Sequence, residues 1–330
     1  MKLFDRLVLG AALLAFCVVV LGAYVRLSDA GLGCPDWPGC YGHLTVPHTD
    51  TALQHVEKAF PNKPLEAHKA WKEMVHRYFA GTLGLLILAI FVTAWRNRRR
   101  IQVSPALPTT LLLVVIFQAM LGMWTVTLLL KPAVVSAHLI GGMTTLALLT
   151  WLAHRRYGSV PSIYGANFNS LRPWARLGLV VIALQIFLGG WTSSNYAALA
   201  CTDFPTCGGS FLPPMDFANA FHMIRELGQT ADGQQLSLAA LTAIHWTHRL
   251  GALITFLYLG WLAHKVMRAR GLGHLGGVMM LLLVLQVSLG ISNVLFSLPL
   301  PVAVAHNAVA ALLLISLVVL NSKTTVKSGR

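Results

Sequence analysis

The sequence predicts an all-α integral membrane protein in which eight transmembrane helices form two tandem four-helix bundles, related by a pseudo-two-fold axis along the membrane normal. Three observations predict this fold: eight apolar blocks long enough to span a bilayer, basic residues concentrated on one side of those blocks, and an internal repeat of about half the chain. The order of the helices then decides which polar side chains share a depth in the membrane.

The composition excludes a water-soluble enzyme. Of the 330 residues, 56% are hydrophobic and only 11% are charged, and the mean hydropathy is +0.66. A soluble domain is about 25% charged. Disorder is excluded as well, because a disordered chain needs low hydrophobicity.

The apolar residues fall into eight blocks, and a helix needs roughly 20 residues to cross a bilayer. The first block has no clear small-residue cleavage site, so we interpret it as a membrane span and not as a signal peptide. The blocks cover about residues 7–26, 74–95, 108–130, 133–153, 174–194, 243–263, 275–296 and 301–320.

The charges predict the orientation of these helices and do not indicate a nucleic-acid partner. The chain has 25 Lys and Arg against 11 Asp and Glu, a formal charge of +14. Sixteen of the basic residues lie at the N-terminus or in the segments that follow the even-numbered spans, all on one side of the membrane. Ten of the acidic residues lie on the opposite side. Short loops rich in Lys and Arg stay cytoplasmic. We therefore expect a bacterial cytoplasmic membrane protein with both termini cytoplasmic and the long loops, about 27–73 and 195–242, on the outer face.

The second half of the chain repeats the first. Because each half has four spans, the repeats have the same orientation in the membrane. The repeat predicts an N-terminal half at 1–154, a cytoplasmic linker at 155–173 and a C-terminal half at 174–330. The matching landmarks are Gly22 with Gly189 and Cys34–Cys40 with Cys201–Cys207 at an offset of 167, Gln118–Gly122 with Gln286–Gly290 and His138 with His306 at 168, and His76-Arg77 with His248-Arg249 at 172.

Four histidines lie just inside the outer ends of the even-numbered spans: His76, His138, His248 and His306. An imidazole inside a membrane is costly and usually faces a cavity or a cofactor. Repeat symmetry allows the two histidines of each half to face each other across a bundle. Two imidazoles without a carboxylate or thiolate to complete a tetrahedral set fit the axial ligation of a haem. The alternative is four interfacial histidines that bond to one another or to water.

Three charged residues accompany these histidines. Arg77 and Arg249 follow the first histidine of each pair and could hold anionic haem propionates; snorkelling to the interface explains them equally well. Glu73 has no counterpart, because His245 stands at its position in the second half. Glu73 lies one turn before His76 on the same helix face, where it could accept a proton or stabilise a cationic intermediate. A first-turn glutamate favoured by the helix dipole is the alternative.

Each of the two long loops contains a pair of closely spaced cysteines. Cys34 and Cys40, like Cys201 and Cys207, are six residues apart, and the outer side of a bacterial membrane is oxidising, so two local disulfides are expected. A redox-active dithiol is the alternative, chiefly for Cys34 and Cys40. Cys17 is expected to be a small buried apolar residue.

These features together resemble the haem A synthase family, over nearly the whole chain. The motif Glu73-Met-Val-His76-Arg77 with three further placed histidines carries the resemblance. It implies an enzyme that oxidises the C8 methyl of haem O to the formyl group of haem A by two hydroxylations, with Glu73 as a catalytic residue. It implies that His248 and His306 bind the iron of a haem b cofactor, and that His76 and His138 bind the substrate haem.

The same resemblance implies partners: haem O synthase, cytochrome oxidase assembly factors and an electron donor that the sequence does not identify. A homo-oligomer is compatible with the sequence. Two other functions stay open. The chain could be a dihaem b-type cytochrome that oxidises quinol, against which the one-sided Glu73 argues, or a transporter, against which the depth of the four histidines argues.

Overall fold

The computed structural model describes residues 3–101, 104–157 and 168–325. Within these ranges the regular structure is helical, and eight helices are long and apolar enough to cross a membrane, as the sequence predicts. The chain is therefore a multi-pass membrane protein. The eight long helices are α1 (Leu3–Leu27), α2 (Ala67–Arg96), α3 (Ala106–Thr127), α4 (Pro132–Tyr157), α5 (Arg172–Ser194), α6 (Leu238–Arg268), α7 (Gly273–Leu295) and α8 (Leu300–Thr325).

Two long loops and one end of the helix bundle lie together, and we call this the loop-bearing end. The loops join α1 to α2 and α5 to α6. Short helices interrupt them at Asp50–Ala59, Ala197–Leu199 and Phe217–Ala220. Two further short helices, Arg98–Ile101 and Phe168–Ser170, follow α2 and precede α5. Of the predicted linker 155–173, residues 158–167 lie outside the described part of the chain.

The largest boundary differences from the predicted spans are at the starts of α2 and α6. α2 begins at Ala67, well before the predicted 74, because its first turns are covered by the preceding loop: Ala70 and Met74 are buried against Cys34 and Cys40. α6 begins at Leu238, where the side chain of Ser237 caps the helix by accepting a hydrogen bond from the Ala240 N–H. Apolar blocks mark the membrane-crossing part of a helix and omit such extensions.

The helices of each half pack in a closed ring. α1 packs on α2, α2 on α3, α3 on α4, and α4 on α1; α5 to α8 repeat this order of neighbours. α2 is thus diagonal to α4, and α6 to α8. Between the halves α4 packs on α5, α8 on α1, and α4 on α8. Exchanging the two halves leaves this set of contacts unchanged, as expected for two four-helix bundles related by a two-fold axis.

Contacts between equivalent residues agree with an axis that runs along the helices. At the loop-bearing end Arg26 Nη2 donates to the Ser193 carbonyl at 2.6 Å, and the Tyr196 hydroxyl donates to Asp29 Oδ1 at 2.9 Å. At the opposite end His154 Nδ1 lies 2.9 Å from Ser322 Oγ. The members of each pair are 167 or 168 residues apart, which is the repeat offset. Residues related by a two-fold rotation touch only where they lie beside its axis.

The prediction for Cys17 was wrong. Its side chain is exposed on the surface of α1 and is not buried in the bundle. An apolar residue on a membrane helix can face lipid as readily as protein, so burial does not follow from hydrophobicity there.

The interface between the halves can be tested by cross-linking. Ser136 on α4 and Ser194 at the end of α5 are buried, with their Oγ atoms 3.2 Å apart. The double variant Ser136→Cys with Ser194→Cys should form a disulfide on mild oxidation. With a protease site inserted between residues 157 and 168, the two cleaved halves should then migrate together in a denaturing gel until a reductant is added. Either single variant is the control, and separation of the oxidised halves would contradict the packing of α4 on α5.

Candidate functional site

Each of the four predicted histidines packs its ring directly on a glycine of the preceding long helix. A Cβ atom added to any of these glycines would approach the imidazole Cε1 closely, at distances that are 3.0 Å for Gly22 and His76, 3.2 Å for Gly122 and His138, 3.2 Å for Gly189 and His248, and 3.1 Å for Gly290 and His306. Any side chain there would push the ring away, so each imidazole lies against bare helix backbone. The same contact is made four times, twice in each half.

The structure brings the histidines together in the predicted pairs. His76 and His138 lie on the diagonal helices α2 and α4, near enough for a charge on one ring to affect the other, and His248 and His306 are arranged in the same way on α6 and α8. Among the described residues, no cluster of three or more His, Cys, Asp or Glu side chains could hold a bare metal ion. A pair of imidazoles suits a metal that brings its own equatorial ligands, as a haem iron does.

Three glutamines that the sequence analysis assigned no role contact these histidines. Gln118 Nε2 donates to the His138 carbonyl at 2.6 Å. Gln185 Nε2 lies 3.1 Å from both the carbonyl and Nδ1 of His248. Gln286 Nε2 lies 3.2 Å from His306 Nε2, and the Gln286 carbonyl lies 3.1 Å from His306 Nδ1.

The glutamines share a sequence signal. Each stands four residues before the packing glycine in a Gln-x-x-Leu-Gly pattern, on α3, α5 and α7. On α1 the pattern is Val18-x-x-Leu-Gly22, so valine replaces glutamine beside His76. The repeat of Gln118–Gly122 as Gln286–Gly290 is visible in the sequence, but its contact with the histidines depends on how adjacent helices are rotated.

The two histidine pairs differ in their polar surroundings. In the N-terminal half, the Nδ1 atoms of His76 and His138 are buried and have no hydrogen-bond partner among the described residues. In the C-terminal half, His248 Nδ1 and His306 Nδ1 each have a glutamine atom at 3.1 Å. The imidazole rings therefore have equivalent positions in the two halves but different hydrogen-bond partners.

Glu73 is a buried carboxylate held by two donors. Its Oε2 accepts the backbone N–H of Cys34 at 2.9 Å, and its Oε1 accepts Arg77 Nη2 at 2.5 Å. Glu73 lies in the second turn of α2, so the first-turn alternative does not describe it. In the second half His245 is also buried and accepts Arg249 Nε at 3.2 Å. The carboxylate is thus confined to the side of His76.

Arg77 and Arg249 bind the backbone of the cysteine-bearing loops. Arg77 Nη1 donates to the Asp36 carbonyl at 3.0 Å and also contacts the Gly39 carbonyl. Arg249 donates from Nη1 to the Thr206 carbonyl at 2.8 Å and from Nη2 to the Cys201 carbonyl at 3.0 Å. Each guanidinium thereby joins a histidine-bearing helix to its loop. The predicted contact with propionates stays a prediction.

The two cysteine loops have the same local construction. The structure joins Cys34 to Cys40 and Cys201 to Cys207. Inside the first loop, Asp36 accepts the Tyr41 and Gly42 N–H groups at 2.6 and 2.7 Å. The redox-active alternative for the cysteines is untested.

Asp203 accepts equivalent hydrogen bonds inside the second loop. It accepts the Thr206 hydroxyl at 2.5 Å and the Gly208 and Gly209 N–H groups at 2.6 and 2.9 Å. These hydrogen bonds, the Thr206 bond first, lower the pKa of Asp203 to about 2. The carboxylate therefore stays ionised and bonded to its loop at any physiological pH.

If each arginine holds its own loop, removing it should speed amide exchange in that loop and not in the other. Arg77→Ala should raise the rate of amide deuterium exchange in residues 34–42 about tenfold, because three loop carbonyls lose their donor. Exchange in residues 201–209 should stay unchanged. Arg249→Ala should reverse this pattern, so each variant is the control for the other. Unchanged exchange in both loops would contradict the anchoring.

Comparison with known proteins places this arrangement in a family. Residues 5–318 match the family model described as cytochrome oxidase assembly protein, COX15-CtaA. The chain is 46% identical to the haem A synthase of Shewanella oneidensis over 304 residues, 92% of this chain and 91% of that protein. It is 28% identical to the haem A synthase of Agrobacterium fabrum, over 91% of this chain and 84% of that protein, and 24% identical to that of Halalkalibacterium halodurans, over 91% and 90%. The chain belongs to the COX15-CtaA family of cytochrome oxidase assembly proteins, within which it is similar to haem A synthases.

Proposed function

We propose that this protein is a haem A synthase, which oxidises the C8 methyl of haem O to a formyl group by two successive hydroxylations and uses a bound haem b. The observation that carries the proposal is that two otherwise equivalent histidine pairs differ in the polar groups around their rings. In one pair each ring has a glutamine atom beside its Nδ1, and in the other pair neither Nδ1 has a partner among the described residues but a buried carboxylate lies nearby. A resident cofactor and a transient substrate would need such different sites.

The residues of the C-terminal half fit a resident haem b. A metal-bound imidazole usually has its second nitrogen held by a partner, which fixes the ring orientation. His306 Nδ1 can donate to the Gln286 backbone carbonyl at 3.1 Å, and Gln185 Nε2 lies 3.1 Å from His248 Nδ1. Gly189 and Gly290 leave space for both rings. When bound there, haem b supplies the electron-transfer chemistry that amino-acid side chains lack.

The residues of the N-terminal half suit a haem that enters and leaves. His76 and His138 occupy positions equivalent to the proposed cofactor ligands, yet no residue in the described part of the chain bonds to their Nδ1 atoms. The rings can turn without breaking a hydrogen bond, so substrate binding and product release meet less resistance. We assign His76 and His138 to the substrate, haem O.

Glu73 is the residue we assign to proton transfer. It precedes His76 by one turn, so its carboxylate can reach the edge of a haem held there. Arg77 and the Cys34 N–H fix the two oxygens in place. The carboxylate can then accept a proton from one hydroxyl group of the twice-hydroxylated carbon and return it to the other, which leaves as water. Loss of water from that geminal diol leaves the formyl group. His245 at the equivalent position offers no such carboxylate.

The surroundings of the site agree with a function at the membrane surface. Arg77 and Arg249 hold the cysteine loops above the histidines, and we propose that the same guanidiniums approach the haem propionates. From the distribution of basic residues we place the protein in the bacterial cytoplasmic membrane, with the loop-bearing end outside. There it would take haem O from its synthase, draw electrons from a separate donor and deliver haem A for cytochrome oxidase assembly.

Expression in cells that make haem O but not haem A tests the proposal. The wild-type chain should give haem A in the extracted pigments. Glu73→Gln should keep haem bound but lower haem A formation at least about 100-fold, since a proton-transferring group typically contributes that much or more. Glu73→Asp should retain part of the activity and is the matched control for charge.

Three results would contradict parts of this account. Full activity of Glu73→Gln would remove Glu73 from the mechanism. Protein that contains haem B but converts no haem O would favour the dihaem cytochrome that oxidises quinol. Protein without haem would overturn both functions.

A further inference from the structure

The four histidines are alike in ring packing, but one of them lacks the polar tether that the other three have. Gln118, Gln185 and Gln286 contact His138, His248 and His306 from the preceding helix. His76 is preceded by Val18 at the equivalent position of α1. Among the described residues no hydrogen bond reaches the His76 ring, and its Nδ1 is buried without a partner.

The tether on His138 fixes α4 against α3 at the level of the ligand. Gln118 donates to the carbonyl of His138 itself, and its side chain lies in contact with the positions of Gly141 and Gly142 on α4. The absence of side chains at these glycines lets the amide approach the helix backbone. A displacement of His138 would break this partly buried hydrogen bond, which is costly in apolar surroundings.

Among the described residues, no hydrogen bond joins α2 to α1 at His76. Val18 offers only apolar contact, and apolar contacts are non-directional and tolerate small shifts of the groups they join. The residue three positions after His76 is Phe79, which is exposed, where His138 has Gly141. The His76 ring packs closely on Gly22, and this contact positions the ring by shape.

The untethered histidine is also the one beside the carboxylate. Glu73 precedes His76 by one turn, while the helix that carries His138 has no Asp or Glu. An axial position that opens on the His76 side of the substrate therefore opens toward Glu73. Two independent features of the chain, valine at position 18 where the other three helices have glutamine and the position of Glu73, indicate the same side of the substrate haem.

From this asymmetry we infer that His76 is the axial ligand that releases the iron of the substrate haem, while His138 remains bound. The inference rests on the proposed function and deepens it. The step breaks one iron–nitrogen bond and transfers no electron or proton. It resolves a conflict in a site with two histidines, which would otherwise leave no axial position open on either face of the substrate.

Carbon monoxide binding to the reduced protein tests the inference without turnover. The probe is the purified chain loaded with haem O under anaerobic conditions, because carbon monoxide binds a haem iron only where an axial ligand leaves. Wild-type protein should bind it at haem O and not at haem B. Val18→Gln, which supplies the missing tether, should slow binding at haem O about tenfold. Val18→Leu is the matched apolar control and should behave as the wild type does.

Removal of each ligand gives the second test. His76→Ala should retain haem O and bind carbon monoxide quickly, whereas His138→Ala should lose haem O. The haem B content of every variant reports whether the C-terminal half is folded. The reverse pattern, or equal rates in Val18→Gln and Val18→Leu, would overturn the inference while conversion of haem O by the wild type still supports the proposed function. Failure of the wild type to bind haem O would overturn both.

Discussion

An imidazole ring that packs its Cε1 edge on the backbone of a neighbouring helix is the contact on which the arrangement of this protein depends. Each ring needs a surface free of side chains, and a glycine on the preceding long helix provides it at Gly22, Gly122, Gly189 and Gly290. A Cβ atom at 3.0–3.2 Å from the ring would force either the ring or the helix to move. The contact therefore fixes the spacing of each helix pair and the inward position of each histidine together.

Around this shared contact the two halves differ at positions that change the chemistry beside the rings. Gln185 in the second half corresponds to Val18 in the first, and His245 corresponds to Glu73. The first difference removes a hydrogen bond beside a ring, and the second introduces a buried carboxylate. Both changes lie in the N-terminal half next to His76. Under the proposed function, a duplicated bundle keeps one copy for a cofactor in this way and uses the other for a reacting haem.

Much of the fold and the pairing of the four histidines could be predicted from the sequence, because both depend on features with a regular spacing. Membrane crossing requires a minimum apolar length, so all eight spans were found, and the constant repeat offset paired the four histidines. The features that could not be predicted depend on packing. The extension of α2 back to Ala67 is supported by a loop and not by its own apolar residues. The exposure of Cys17 and the loop contacts of Arg77 depend on helix rotation, which hydropathy does not encode.

The central claim is that the C-terminal histidine pair holds a resident haem b and the N-terminal pair does not. The haem B content per chain, measured on protein purified from cells that also make haem O, tests it most directly. His248→Ala and His306→Ala should each lose haem B, while His76→Ala and His138→Ala should each retain it at the wild-type level. Loss of haem B from the N-terminal variants alone, or to the same extent from all four, would contradict the division of the two halves into cofactor and substrate sites.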